Sequence, residues 1–514
     1  MRPARLVLLL VALPALPGAV HAQDTARIEV LNADVWRFDE AIAPGAQRLQ
    51  GHVRFRHAGA LMSCDSAWLY EDQRVKAFSD IRILHGDTLT ITGRQLEYEA
   101  AQRRAALSGG VRLTDPGSTL DTELLVYDLG ERAATYTGGG TLVSLRQGDT
   151  LTSRQGTYLT GQRRFIFSGD VRLRHPERSI TADTLHYLTA SATAEFHGPT
   201  VIAQRDSRIT CVAGTYDTRD RRARFTQRAT ITTDGQQLSG DSVHYDGLDG
   251  IGQAWGDVVA EDTANGTTVL GDRGHHDQRT GHSFVTGRAR LLLRSDEDTL
   301  FLHADTLFAA PDTVPDKRRI TARRGVRLFR ADLQGVCDTL VYTTADSLIR
   351  MMHRPVLWSG RDQVSARHIR IQLADGRVDR LFAEGEAFMA ARVDSTHFDQ
   401  VSGRTMTGHF VDNALDRLLA EGNSRTLYHA QETRDSVKTI VGVNRADCAR
   451  LLVRVRDGEV ASVTFLTQPE AVLYPVDQVP LEDRMLPGFA WREAERPVDR
   501  DDILRRPEAP VTAP

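Results

Sequence analysis

SGDVRLRHPERSITADTLHYL, residues 168–188, holds two runs of alternating apolar and polar residues joined by a polar turn, and pieces of it recur along the chain. SGGVRL stands at 108–113 and VRF at 53–55; LSGDSVHYD lies at 238–246, WGDVV at 255–259 and GVRLF at 325–329. The recurrence has a regular interval. Tyr98, Tyr127, Tyr158, Tyr187, Tyr216 and Tyr245 follow one another at a constant step, except that the step from Tyr127 to Tyr158 is slightly longer. Seven residues before each stands Ile91, Leu120, Leu151, Ile180, Ile209 or Leu238. Gly follows eleven residues after five of the six tyrosines, with Gln227 as the exception, and a further unit fits with His276 in the Tyr place. Nine residues after the anchor runs a column that is mostly large and apolar: Leu107, Tyr136, Phe167, Phe196, Phe225, Ala254, Val285. Several columns in register over seven units identify a repeat protein.

The period within a unit is two. Phe165, Phe167, Gly169, Val171 and Leu173 alternate with polar residues, the pattern of a strand with one face buried. Turns such as LTGQRR and DTRDRR precede these strands, so each unit reads as a β-hairpin. In the first strand of a unit the apolar parity changes, as in Ile180, Ala182, Leu185, Tyr187, which requires a β-bulge. Placing the extra residue in that first strand pairs Gly93 with Gly109, Ala182 with Gly198 and Gly240 with Gly256. Small residues would then meet where the sheet bends, and stacked, creased hairpins would form a long V lined by apolar columns.

Composition narrows the function classes. Lys+Arg 64 against Asp+Glu 68 gives a net charge of −4, which offers nucleic acid no basic surface. Arg2 and Arg5 precede the apolar run Leu6–Leu13, and Val20 and Ala22 occupy the −3 and −1 positions of a signal-peptide cut after Ala22. No Cys lies near that cut to carry a lipid, and no later run of 18 apolar residues exists to span a bilayer. The chain reads as exported. Cys64, Cys211 and Cys337 fall in the small column of well-separated repeats, too far apart to bridge one another.

The units of the form ITADTLHY…SGDVRL resemble the OstA/LptA-type lipopolysaccharide-transport family, most strongly over 28–290, and CDSAWLY and LPGFAWREAERP (486–497) resemble its long OstA-like members. The resemblance implies an all-β fold, an elongated antiparallel β-jellyroll. It would form a V-shaped two-sheet trough built from hairpin repeats of about 29 residues, a period within the range of repeat architectures. The resemblance implies a periplasmic, non-catalytic protein that shields lipopolysaccharide acyl chains on the way to the outer membrane. It also implies inner- and outer-membrane Lpt-type components as partners, end-to-end self-association, and no cofactor or metal. The expected organisation is a signal peptide (1–22), a regular array (28–292), a divergent continuation (293–435), C-terminal strands (436–478) and a Pro-rich extended tail (479–514), with 309–319 marking a break between arrays.

Residue patterning supplies the candidate site. A carrier of acyl chains needs a continuous apolar lining, because each exposed methylene costs about 0.8 kcal/mol in water. Leu96, Leu107, Leu125, Tyr136, Phe167, Leu185, Phe196, Phe225 and Val243 are the candidate lining; the same pattern also describes a closed core between two sheets. Arg103, Arg104, Arg163, Arg164, Arg221 and Arg222 occupy equivalent turns and form a candidate phosphate-contacting edge or a solvated one. No nucleophile elbow, HExxH, phosphate loop or calcium loop is present; His275–His276 and Asp296–Asp298 read as turn residues, so no enzyme is expected. A structural or adhesive β-repeat protein is the alternative. A transmembrane barrel is disfavoured by Arg-bearing outer faces and 6% aromatics.

Overall fold

The computed structural model describes residues 27–505, apart from 39, 42–43, 145–147, 206, 234–235, 264–265, 295–297, 316, 375, 435–436 and 457–458. The signal peptide, Asp296 and residues 506–514 therefore lie outside the described residues. What is described is antiparallel β-structure throughout, with four three-residue 3-10 turns near the C-terminus and no α-helix among the described residues. The chain divides into two compact units, Met1–Gly169 and Asp170–Pro514.

In the first unit, long strands zigzag through hairpins: Ala46–His57, Ala60–Tyr70, Arg74–His85, Leu89–Glu99, Arg104–Asp115 and Ser118–Asp128. Two short strands, Glu29–Asn32 and Val35–Phe38, pair along the outer edge of Ala46–His57. Tyr98 lies opposite Ala105 and Leu96 opposite Leu107, as the sequence predicts.

Beyond the bend the register departs from expectation. Ile91 faces Leu113 rather than Val111, so the extra residue sits in the second strand, at Gly109–Gly110. Ala182 likewise faces Thr200, not Gly198, and Ser239 faces Val259, which carries Gly240 past Gly256. The backbone shows why. Gly109 (φ 81°) and Gly110 (63°), Gly256 (70°) and Asp257 (40°), and Gly287 (75°) and Arg288 (49°) are consecutive left-handed residues. The Gly column exists because the first of the pair needs positive φ, which costs an L-residue about 1–2 kcal/mol. Gln227 (60°) and Arg228 (56°) take the same conformation without a glycine. Each strand is thus split by its bulge into two arms.

The second unit continues the pattern through Arg178–Leu188, Thr193–Gln204, Ser207–Asp217, Arg222–Thr233, Gln236–Asp246, Ile251–Asp262, Thr267–Asp277 and His282–Arg294. Residues 309–319 do not interrupt it: Thr299–Pro311 and Arg318–Arg330 pair up to Pro311 opposite Arg318. Strands lengthen toward Ala414–Arg434 and Val437–Arg456, and both Glu459–Leu466 and Glu470–Pro475 pair on the latter.

The segment after Val479 folds back on strands of its own unit. Three buried glutamines receive it: Gln400 Oε1 accepts from the Leu486 amide (2.8 Å), Gln363 from the Arg492 amide (2.7 Å) and Gln334 from the Arg496 guanidinium (2.6 Å). Val479 and Leu486 join Phe388, Ala390, Leu427 and Val443 in one apolar cluster, with Phe489 and Trp491 against it. Arg327, buried, pairs with Asp502 at 3.4 Å. The four cysteines are buried thiols. Burial pushes the Cys64 thiol up to about 12 and that of Cys211 to about 11.

Candidate functional site

The apolar face of each strand is where the predicted lining falls. In the first unit Leu96, Leu107, Leu125, Tyr136 and Phe167 are at most 2% exposed; in the second, Leu185, Phe196, Phe225 and Val243 are at most 1%. Cross-strand pairing sets them in rows. Ala77, Leu96, Leu107 and Leu125 follow one another across four strands, and Phe225, Val243, Ala254 and Gly274 across another four. The nine residues are packed interior.

A second row, on the tyrosines, shows how the two arms close in the first unit. Tyr98 stands near the free end of one arm, and its hydroxyl meets His57 Nδ1 of the other arm at 2.5 Å. Tyr127 meets His85 Nδ1 at 2.6 Å, and Tyr158 donates to Asp115 Oδ2. These partners are 41, 42 and 43 residues apart, yet the bonds repeat at each turn of the array. Asp115 is further held by the Gly117 and Ser118 amides and the Ser118 hydroxyl. Burial raises all three phenols, Tyr127 to about 12. Burial, with Arg132 nearby, keeps the His85 imidazole below its ordinary range.

In the second unit this row changes character. Tyr187 and Tyr216 are still buried, Tyr245 is half-buried, and His276 is exposed. Tyr245, Gly252, His276 and Ser283 succeed one another across four strands, where the first unit alternates tyrosine with alanine. In the neighbouring row Ala254 stands where other repeats place a larger apolar side chain, and Gly274 shares its place with Gly156 and Gly214 but, unlike them, has no aromatic ring against it. Space results. Gly252 is buried, yet no atom of the described residues lies within 4 Å of where its Cβ would stand. Leu238, Ala260, Val269, Val285 and Leu293 are only partly buried. The apolar face is therefore filled in the first unit and loosely filled over 238–293. The signal in the sequence is the set of departures from the columns: Ala254 for Phe and His276 for Tyr.

Arg103, Arg163 and Arg221 each occupy a left-handed turn position (φ 54°, 51°, 56°) just before a strand. Arg103 and Arg221 are exposed, while Arg222 is engaged with Asp246 at 2.9 Å. Arg104 opens its strand opposite Asp128, and Arg164 opens its own opposite Leu159. His275 stacks on Phe284 and His276 bonds the Ser283 hydroxyl at 2.9 Å. Between Thr193, Thr215, Arg222, Arg224, His244 and Gln253 lies an open outer-surface groove of about 370 Å³. It is polar-edged and outside the apolar face.

Comparison with known proteins agrees with the repeat pattern. Residues 25–183 match the OstA-like protein family. No curated protein matches the chain. Among solved structures, the chain is similar to LptH, the LptA homologous periplasmic component of the lipopolysaccharide transport device from Pseudomonas aeruginosa. The identity is 16%, over 23% of this chain and 82% of that one, with a TM-score of 0.20. Residues 25–183, about a third of the chain, are thus similar to the OstA-like family that the repeat resembles.

Proposed function

We propose that the chain is a periplasmic protein of lipopolysaccharide transport, taking acyl chains against its apolar face during transfer toward the outer membrane. Inner- and outer-membrane Lpt-type components would be its partners, and copies would associate end to end. The OstA-like match supports the class. Among the described residues no helix is long and apolar enough to cross a membrane. The observation that carries the reading is the loosely filled stretch at 238–293, where Gly252 borders open space and Tyr245 and His276 emerge toward solvent.

Acyl chains entering there would bring about 0.8 kcal/mol per buried methylene without displacing a large side chain. Entry at Phe167 or Phe196 requires the packed rows to part. Arg103, Arg104, Arg163, Arg164, Arg221 and Arg222 are the groups proposed to meet headgroup phosphates, by charge-assisted hydrogen bonds. The filled interior of the first unit favours a second reading for that stretch, a structural array that carries nothing.

One substitution separates the two. Gly252→Leu fills the space, and because Gly252 lacks positive φ the side chain is tolerated. The carrier reading expects purified lipopolysaccharide to bind the parent in preference to phospholipid vesicles. It also expects Gly252→Leu to weaken that binding while melting is unchanged or raised. A parent that binds neither, or a variant that binds as the parent does, overturns it.

A further inference from the structure

The face opposite the apolar one carries a different chemistry at a single place. On the antiparallel strands Arg178–Leu188 and Thr193–Gln204, His186 stands directly across from Glu195, and His197, two residues on, points to the same side. One donor atom from each of the three lies within 4.8 Å of the others. His186 Nδ1 is 3.7 Å from Glu195 Oε2, and the two imidazole centroids are 4.5 Å apart. Among the described residues this is the one grouping of three His, Cys, Asp or Glu donors so placed.

We propose that His186, Glu195 and His197 bind a borderline divalent cation of the zinc class. Two imidazoles and a carboxylate are the donor set such ions take, at about 2.0–2.2 Å per bond, which sets donors roughly 3.4 Å apart in a tetrahedron. The His186–Glu195 separation already approaches that figure, and a small side-chain rotation of His197, which is exposed, brings in the third donor. The fourth position faces solvent and takes water or a small anion.

The surroundings agree. His186, Glu195 and His197 all lie off the apolar face, which here is Leu185, Tyr187, Ala194 and Phe196, so metal occupancy does not touch the core. Across the ladder His197 is flanked by Thr184 and Ala213, and Glu195 by His186 and Thr215. The repeat makes the cluster conspicuous. At the position of His197 the other units place Ser108, Thr137, Ser168, Thr226, Trp255 and Thr286, and none combines three ligands. Histidine is therefore not demanded by the fold at that position.

The test uses untagged protein freed of metal and titrated with Zn²⁺ against a chromophoric chelator, with Co²⁺ as a spectroscopic probe. One Zn²⁺ per chain is expected, along with a visible Co²⁺ spectrum of low coordination number. His197→Ala and Glu195→Gln should each lower affinity roughly tenfold or more and abolish that spectrum, while melting stays as in the parent because both side chains lie off the core. His282→Ala, exposed elsewhere, should change neither. Absence of a stoichiometric site, or parental binding in both His197→Ala and Glu195→Gln, overturns the assignment.

Discussion

The tyrosine bonds between the two arms of the first unit allow a graded test. Replacing Tyr98, Tyr127 and Tyr158 singly by Phe removes one hydroxyl from each bond and leaves the ring packing intact. What remains behind differs. His57 is buried (5% exposed), so Tyr98→Phe takes the hydroxyl from a ring nitrogen that water does not reach, at a cost of about 1–3 kcal/mol. His85 is half-buried, and water replaces the lost hydroxyl, so Tyr127→Phe costs about 0.5–1 kcal/mol. Asp115 is buried and loses the partner of Oδ2 while Oδ1 keeps its three donors, so Tyr158→Phe falls at the charged end of the range, about 1.5–3 kcal/mol. Urea denaturation followed by circular dichroism reads the order: Tyr158→Phe and Tyr98→Phe well below the parent, Tyr127→Phe close to it. Equal small losses at all three would mean that the arms are not held by these bonds, and that the hydroxyls merely sit beside their partners.

Gln227→Gly should stabilise the protein by about 0.5–1 kcal/mol, since relief of a left-handed L-residue (φ 60°) exceeds the added freedom of the unfolded chain; a lower urea midpoint would refute the bulge account. Asp362 is raised to about 6 by burial, with the Asp399 charge adding to it. Its contribution to stability is therefore complete below about pH 4 and is lost as pH rises through about 6. Asp362→Asn should accordingly raise the midpoint at pH 8 and leave it unchanged at pH 4, and an equal effect at both would remove Asp362 as the cause.

The hairpin repeat was legible because its cause is local. Period-two alternation, a polar turn and one tyrosine per hairpin are imposed by one strand's own burial, and the pairs Tyr98–Ala105 and Leu96–Leu107 follow from them. The parity change at Ala182–Leu185 also announced a bulge, but parity constrains the pair of strands and not which of the two carries the extra residue. That is decided by backbone conformation, and the informative residues were the Gly-Asp and Gly-Gly pairs at 109–110, 169–170 and 256–257, read as small when they are left-handed. The contacts between arms were not legible from any one strand. His57, His85 and Asp115 recur once per hairpin, but they differ in type and act on a tyrosine more than forty residues later. The folded-back tail was hidden similarly: its receivers are Gln363 and Gln400 in the repeated sequence DQVS, polar residues that a burial pattern assigns to solvent.

In a chain built this way conformity reports the fold, and departure from the column is where function can be sought. Filling the apolar rows is worth several kcal/mol per large side chain, since truncating a buried Phe to Ala ordinarily costs about 3–5 kcal/mol. Selection for stability alone would therefore place Phe at 254 and Tyr at 276, as in neighbouring repeats, and would give Gly252 a side chain that the structure has room for. Two successive strands forgo that gain in the same place, and they do so beside row members, Phe225 and Val243, that remain large and apolar. Scattered loss of packing would not keep its walls. Small residues bounded by apolar ones are what a site needs when something apolar from outside is to complete the row. The outer face follows the same logic with the opposite chemistry, since His186, Glu195 and His197 replace side chains that elsewhere along the array are mostly uncharged.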